Sequence, residues 1–127
     1  MIMKPWCQNK KIGTICLLVF LLLLQGCWSK GCTRGKAEKH FKSGLAKRQK
    51  VDYVGAIEDY TKAIELKPDY ASAYNNRGVA YEKVGKFKQA IENYRKSLAI
   101  DPNYSTPKNN LNNLLTVLIQ KVIIPLP

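Results

Sequence analysis

The sequence predicts an all-α fold of stacked helical hairpins, and three observations support this prediction. Residues 37–70 and 71–104 are identical at ten aligned positions, so the chain repeats with a period of 34 residues. A fixed period of this length is typical of stacked supersecondary units. Apolar residues in the second unit recur at helical spacing. Gly85 and Pro102 interrupt that spacing where a turn and a helix end are expected.

The chain begins with the pattern of a targeting segment. Lys4, Lys10 and Lys11 precede an uncharged apolar run at residues 12–24. A positive region followed by a short apolar region is typical of a secretory signal. A bilayer core of roughly 30 Å needs about 20 helical residues, so this run is too short to cross a membrane comfortably. We therefore expect residues 1–26 to be a signal peptide that is removed.

The residues that follow this run, Leu24, Gly26 and Cys27, resemble the lipobox of bacterial lipoproteins. Gln25 departs from that pattern, because its position usually holds a small or β-branched residue. The resemblance implies that Cys27 receives a diacylglycerol and becomes the first residue of the mature chain. Acyl chains would then anchor the protein in the bacterial cell envelope, on the periplasmic face of a membrane. The alternative is an uncleaved signal anchor.

The positive charge of the chain is concentrated behind this cysteine. The formal net charge is +12, and the segment from Lys30 to Lys50 holds eight basic residues and one acid. We assign residues 27–36 to a basic linker, which is either a solvated spacer or a segment attracted to anionic lipid at up to about 1 kcal/mol per charge. Nucleic-acid binding is not expected, because the aromatic residues fall at packing positions and are not interleaved with Lys and Arg.

Metal binding, disulfides and catalysis are not expected either. Cys27, Cys32 and His40 lack the paired short spacing of a zinc site. If Cys27 carries lipid, Cys32 has no intramolecular partner in the mature chain. The chain has one histidine, no glycine-rich phosphate loop and acids scattered along the repeats. We therefore predict that it is not an enzyme and has no cofactor.

The second repeat, residues 71–104, resembles a tetratricopeptide repeat. Seven residues match the positions that shape packing in that family: Tyr74, Gly78, Tyr81, Ala90, Tyr94, Ser97 and Pro102. Arg77 stands where an aliphatic residue is commoner. The resemblance extends over residues 37–104 and implies a short α-solenoid of two helical hairpins. In such a solenoid, small residues let paired helices approach closely and tyrosines fill the spaces between them.

The first repeat, residues 37–70, matches the family less well. Five packing residues are present: Gly44, Ala56, Tyr60, Ala63 and Pro68. His40, Ser43 and Lys47 depart from the pattern, and all three lie in the first helix, roughly residues 37–50. We therefore expect this helix to be the least stable of the array, and we interpret His40 as a poor packing residue.

Residues 105–127 are predicted to form a C-terminal helix, which caps the array, and an apolar tail. Thr106 is the expected N-cap, with Pro107 in the first turn. Five apolar residues share one face: Leu111, Leu114, Leu115, Leu118 and Val122. Further apolar residues, Val117, Ile119, Ile123 and Ile124, would stay uncovered, and this excess predicts a partner or a homodimer. Because repeat arrays need about three units for stability, we expect a modest melting temperature for the monomer.

The tetratricopeptide resemblance also implies a binding site, since such arrays hold extended or helical peptides in a concave groove lined by the first helix of each repeat. It places these residues on the groove: Phe41, Lys42, Leu45, Arg48, Asn75, Asn76, Val79, Lys83, Asn109, Asn110 and Asn113. Asparagine side chains can hydrogen-bond a peptide backbone, because they carry a donor and an acceptor. Some family members clamp a C-terminal carboxylate; only Asn76 matches that clamp, so the specificity is not expected here.

Two functions remain open at this level. The first is a lipid-tethered module that recruits or scaffolds another envelope protein through the groove. The second is a structural or membrane-surface protein that self-associates and binds anionic lipid or polymer through its basic segment. The first function depends on the groove asparagines, whereas the second depends on Lys36, Lys39 and Lys42.

Overall fold

The computed structural model describes residues 33–123, which form helices joined by short turns. Helix α1 covers residues 33–49, and four more helices follow: α2 (Tyr53–Leu66), α3 (Ala71–Lys83), α4 (Phe87–Ile100) and α5 (Ser105–Ile123). There is no strand within this range, so the all-α prediction is confirmed. Helices α1 and α2 form one hairpin, α3 and α4 form the second, and α5 packs against α4 and α3.

Three predictions fall on residues outside the described range: the signal peptide, the acylation of Cys27 and the exposure of Ile124. Within residues 33–123, no helix combines the length and the apolar character that crossing a bilayer requires. Residues 33–36, predicted as part of the linker, belong to α1. Ala37, which is fully buried, lies directly after them in the same helix.

The turns inside the two hairpins have the same geometry at equivalent positions. Gly85 follows α3 with a φ of 77°, and Val51 follows α1 with a φ of 64°. The amide of Gly85 donates to the carbonyl of Glu82, and the amide of Val51 donates to the carbonyl of Arg48, both at 3.0 Å. A left-handed residue at a helix end is common when it is glycine and rare when it is β-branched. The first hairpin therefore turns at a conformationally strained valine.

Buried tyrosines and small residues build the core between the helices. Tyr60 packs with Ala56 and Ala80, and Tyr94 packs with Ala90 and Leu114. Each of these tyrosine rings lies against a glycine of the partner helix. A Cβ on Gly44 would come within 2.6 Å of the Tyr60 ring, and one on Gly78 within 2.8 Å of the Tyr94 ring. The predicted close approach at small residues is therefore present in both hairpins.

The three departures from the family pattern in α1 meet at one carboxylate of α2. Ser43 Oγ donates to Asp59 Oδ2 at 2.7 Å, Lys47 Nζ lies 2.9 Å from the same oxygen, and His40 Nδ1 lies 3.7 Å from Oδ1. Asp59 is buried. The second hairpin has a polar contact at the equivalent place, where Arg77 Nε donates to Asn93 Oδ1 at 2.8 Å. The residues of α1 that depart from the family pattern thus make polar contacts to α2.

Helix α5 differs from the prediction in two respects. It begins at Ser105, so Thr106 lies in the first turn and is not the N-cap. Val122 was predicted on the covered face, but it is 82% exposed. The reason is helix length: α5 has 19 residues against 14 in α4, and Lys121 already lies over the ring of Phe87, the first residue of α4. Val122 therefore extends past the end of α4.

Most of the remaining apolar surface of α5 divides as the sequence predicts, but Leu115, which was predicted on the covered face, lines an open depression. Leu114 is buried, and Leu111 and Leu118 pack beside it against Ala90 and Tyr94. The exposed apolar residues include Val117, Ile119 and Ile123. Together with Leu115, Leu118 and Val122, the last two line a shallow apolar depression of about 280 Å³. Helix α5 thus covers the second hairpin and leaves Ile119, Val122 and Ile123 of its distal half exposed.

Candidate functional site

The predicted groove residues lie on α1, α3 and α5, which are the first helices of successive hairpins and the cap. Two hydrogen bonds join these helices. Arg48 Nη1 of α1 donates to Asn76 Oδ1 of α3 at 2.7 Å, and Asn110 Nδ2 of α5 donates to Asn75 Oδ1 of α3 at 3.2 Å. We call the four side chains that make these contacts the polar row: Arg48, Asn76, Asn75 and Asn110.

The asparagines of α3 are less available than the sequence suggests. Asn75 is 4% exposed and Asn76 is 9% exposed. Asn76 Nδ2 also donates to the carbonyl of Ser72 at 2.8 Å. Buried amides of this kind hold helices in register, so replacing either one would disturb packing as well as any ligand contact. Asn110 is partly exposed, and Asn109 and Asn113 of α5 are exposed.

The apolar residues predicted on the groove are partly buried in the core. The ring of Phe41 lies 4.8 Å from that of Tyr70 and 5.8 Å from that of Tyr60. Leu45 packs against the buried cluster around Tyr60, and Val79 packs against the cluster around Tyr94. Each keeps some exposed surface. They can line a ligand site only with the edges of side chains whose main role is packing.

The charges on this surface are unequal in sign. The predicted groove set holds three cations, Lys42, Arg48 and Lys83, and no acid. Lys42 forms an exposed ion pair with Glu38 at 3.6 Å. A hydrogen bond from Tyr70 Oη to Glu38, 2.5 Å long, lowers the pKa of that carboxyl, and the charge of Lys42 acts in the same direction. Arg48 and Lys83 form no ion pair with any carboxylate of residues 33–123.

Two features of this region were not predicted from the sequence. The first is that Asn75 and Asn76 are buried and hydrogen-bonded within the array. The second is the hydroxyl of Tyr60, which is buried and has no hydrogen-bond partner among the described residues. The repeat alignment carried a signal for the second feature, because it pairs Arg48 with Glu82 and so shows a reversal of charge beside the two equivalent tyrosines. Within residues 33–123, no group of three or more His, Cys, Asp or Glu side chains is arranged to hold a metal ion.

Comparison with known families settles what kind of repeat this is. A model described as TPR repeat matches residues 44–85, and one described as tetratricopeptide repeat matches residues 71–104. Residues 44–104 are tetratricopeptide repeats. Repeats of this family form scaffolds for protein–protein interaction, and neither matching model describes a catalytic domain.

Proteins similar to this tetratricopeptide array come from an archaeon, a plant and yeast. An uncharacterized protein of Methanocaldococcus jannaschii is 37% identical over 54 residues, a match that covers 42% of this chain and 63% of that protein. Less than two thirds of that relative's length is therefore matched. Among solved structures, the tetratricopeptide domain of Arabidopsis OM64 superposes with a TM-score of 0.67 at 24% identity, covering 69% of this chain and 73% of that one.

A second solved structure is the TPR2B domain of yeast Sti1 in complex with pHsp70. It superposes with a TM-score of 0.65 at 28% identity, covering 68% of this chain and 70% of that one. Each of these likenesses covers more than two thirds of this chain. The tetratricopeptide array of this chain thus has the architecture that an interaction module of the family uses.

Proposed function

We propose that this chain is a membrane-tethered tetratricopeptide module that recruits or positions another envelope protein by holding a peptide segment against α1, α3 and α5. The observation that carries the proposal is the polar row, which joins side chains of these three helices and leaves Arg48 and Asn110 partly exposed. Exposed Asn109 and Asn113 extend that surface along α5. The complex of yeast Sti1 TPR2B with pHsp70 supports a ligand-binding use of the same fold.

The groove is tested by site-specific photo-crosslinking in cells that carry the full chain. A photo-reactive residue replaces Asn109 on α5, and the matched control replaces Lys96, an exposed residue of α4. We expect a discrete crosslinked product from position 109 and none from position 96. A reactive residue at position 83 of α3 should also give a crosslinked product. The double variant Asn109→Ala, Asn113→Ala should lose that product. Equal crosslinking from positions 109 and 96 would contradict the groove.

The membrane half of the proposal is supported by the lipobox resemblance around Cys27 and is tested separately. We expect the intact mass of the membrane-extracted protein to equal residues 27–127 plus a diacylglycerol thioether and any N-terminal acyl group. The Cys27→Ser variant should lose this mass addition and leave the membrane fraction. Recovery of unmodified, full-length protein in the soluble fraction would contradict tethering without bearing on the groove.

A second candidate function has its own supporting observation. The apolar residues that line the depression on α5 recur at positions 115, 118, 119, 122 and 123, which form one stripe of a helix and can pack against a second copy of the same stripe. Lys36 and Lys39 of α1 are exposed and could contact anionic lipid. Self-association would appear as a dimer mass in light scattering that Ile119→Lys abolishes. Lys36→Gln with Lys39→Gln should then weaken binding to vesicles that contain phosphatidylglycerol, and the asparagine variants should have no effect.

A further inference from the structure

Tyr60 and Tyr94 occupy equivalent places in the two hairpins, 34 residues apart. Both are fully buried, and each ring lies against the glycine at the equivalent position of the partner helix, Gly44 or Gly78. Their surroundings differ at the hydroxyl. Tyr94 Oη donates to Glu82 Oε2 at 2.8 Å, whereas Tyr60 Oη has no partner among the described residues.

The difference follows from one position of the repeat. Residue 82 of the second hairpin corresponds to residue 48 of the first, where the chain has Arg48 in place of a glutamate. An arginine has five N–H donors and no acceptor, so it cannot accept the hydrogen bond that the Tyr60 hydroxyl would donate. Leaving a buried hydroxyl without a partner destabilises a fold, and native structures avoid it. Arg48 therefore leaves the hydroxyl of Tyr60 without the acceptor that Glu82 provides for Tyr94.

The side chain of Arg48 is directed across the groove. Its Nη1 donates to Asn76 Oδ1 at 2.7 Å, and the residue is partly exposed. The guanidinium also lies near enough to Tyr60 for its charge to oppose the rise in the Tyr60 pKa that burial causes. The amide of Asn76 occupies only part of the donor capacity of the Arg48 guanidinium. No carboxylate of residues 33–123 forms an ion pair with Arg48. A half-buried guanidinium with free donors and no counter-charge is suited to bidentate binding of a carboxylate.

We propose that Arg48, oriented by Asn76, is the specificity-determining residue of the groove and binds a carboxylate of an acidic peptide ligand. This inference rests on the proposed peptide-binding function and adds the chemistry of the ligand to it. The carboxylate belongs to an Asp or Glu side chain of the peptide, because only Asn76 matches the residues with which some family members clamp a C-terminus. Lys83, which lies on α3 and forms no ion pair with the described acids, favours the same sign of ligand charge.

The test uses the full chain in detergent micelles and fluorescein-labelled peptides, with fluorescence anisotropy as the readout. One short peptide alternates Glu and Ser, a second has Gln at every Glu, and a third has Lys there. Each is made with an amidated and with a free C-terminus. We expect the Glu peptide to bind at least tenfold more tightly than the Gln peptide and the Lys peptide not to bind, with weaker binding as salt is raised. The Glu peptide should still bind after its C-terminus is amidated, because its side-chain carboxylates remain.

Arg48→Glu tests whether a loss of binding comes from the ligand contact or from unfolding. The new glutamate should accept from Tyr60 as Glu82 accepts from Tyr94, but Asn76 Oδ1 loses its donor, so we expect the melting temperature to change by no more than roughly 4 °C. Binding of the Glu peptide should fall at least tenfold in the same variant. Arg48→Met should also lose binding, by removing the charge alone. The matched control is Lys96→Glu, an equal change of charge on exposed α4, which should alter neither quantity by much.

Three results would overturn the inference: equal affinity for the Glu and Gln peptides, unchanged affinity in both Arg48 variants, or loss of binding when the C-terminus of the Glu peptide is amidated. Failure here is distinct from failure of the proposed function. If the crosslink from position 109 forms while the Glu peptide shows no preference over the Gln peptide, the groove binds a partner but not through Arg48. If neither is seen, the groove itself is not a binding site.

Discussion

At the residue scale, the two hairpins show how the same backbone is built from different side chains. Val51 and Gly85 take the same left-handed conformation at the same place in the repeat. For an L-residue with a Cβ this conformation costs about 1–2 kcal/mol, and a β-branched side chain is the least suited to it. Val51 is 67% exposed, so packing offsets little of that cost. The first turn is therefore a removable source of strain.

Exchanging the residues at these turns should change stability in opposite directions. We expect Val51→Gly to stabilise the fold by about 0.5–1 kcal/mol, because relief of strain exceeds the added freedom of glycine in the unfolded chain. Gly85→Val should destabilise it by about 1–2 kcal/mol. Urea unfolding followed by circular dichroism measures both changes. If Val51→Gly is neutral or destabilising, the left-handed turn carries no strain in solution.

At the scale of the element, α1 is held by a charged contact that the second hairpin lacks. Burial raises the pKa of Asp59, but hydrogen bonds from Lys47 and Ser43 outweigh this effect, so the pKa lies below its ordinary value. The same contact raises the pKa of Lys47. A buried carboxylate with these partners stabilises the docking of α1 only while it is ionised. The least regular helix of the array thus depends on a titratable group.

The docking of α1 should weaken in acid. Because the pKa of Asp59 is lower in the folded chain than in the unfolded one, its contribution is complete above about pH 4 and is lost as the pH falls through the folded value. Asp59→Asn should cost about 1–2 kcal/mol at neutral pH and should flatten the acid side of the stability curve. Glu65→Gln, an exposed change on the same helix, is the control. An unchanged acid limb in Asp59→Asn would mean that this carboxylate does not guide the docking of α1.

At the scale of the whole molecule, the array is short, and each hairpin depends on its neighbour. Tyr94 and Ala90 of the second hairpin are closed from solvent by α5, chiefly through Leu114. Units that bury their apolar face only against neighbours are stable only while the end of the stack is covered. The near half of α5 serves this purpose, and its distal half leaves Ile119 and Val122 exposed.

The two halves of α5 should respond differently to truncation of side chains. Leu114 is 4% exposed, and we expect Leu114→Ala to cost about 2–4 kcal/mol, because it opens a cavity beside Tyr94. Ile119 is 56% exposed, and Ile119→Ala should change the stability of the monomer by no more than about 0.5 kcal/mol. Calorimetry at several protein concentrations measures both. A large, concentration-dependent effect of Ile119→Ala would show that α5 is covered by a second copy.

Much of the fold was predictable because it is specified locally. The helical spacing of apolar residues and the breaks at Gly85, Pro68 and Pro102 lie within single helices or turns, and the 34-residue period repeats one hairpin. Helix propensity and turn geometry act over a few residues, so their signals can be read along the chain. The repeat also predicted the close helix contacts at Gly44 and Gly78, because these glycines occupy equivalent positions in the two units.

The candidate site was less predictable because its properties arise between helices. The sequence by itself determined which helices form, in what order they stack and which side chains could face a groove. Only the tertiary structure decided that His40, Ser43 and Lys47 meet at Asp59, that Asn75 and Asn76 are buried, and that Arg48 extends toward Asn76 while Tyr60 stays unpartnered. Burial and hydrogen bonding depend on residues 16 to 35 positions apart in the chain, and those distances are set only when the helices pack.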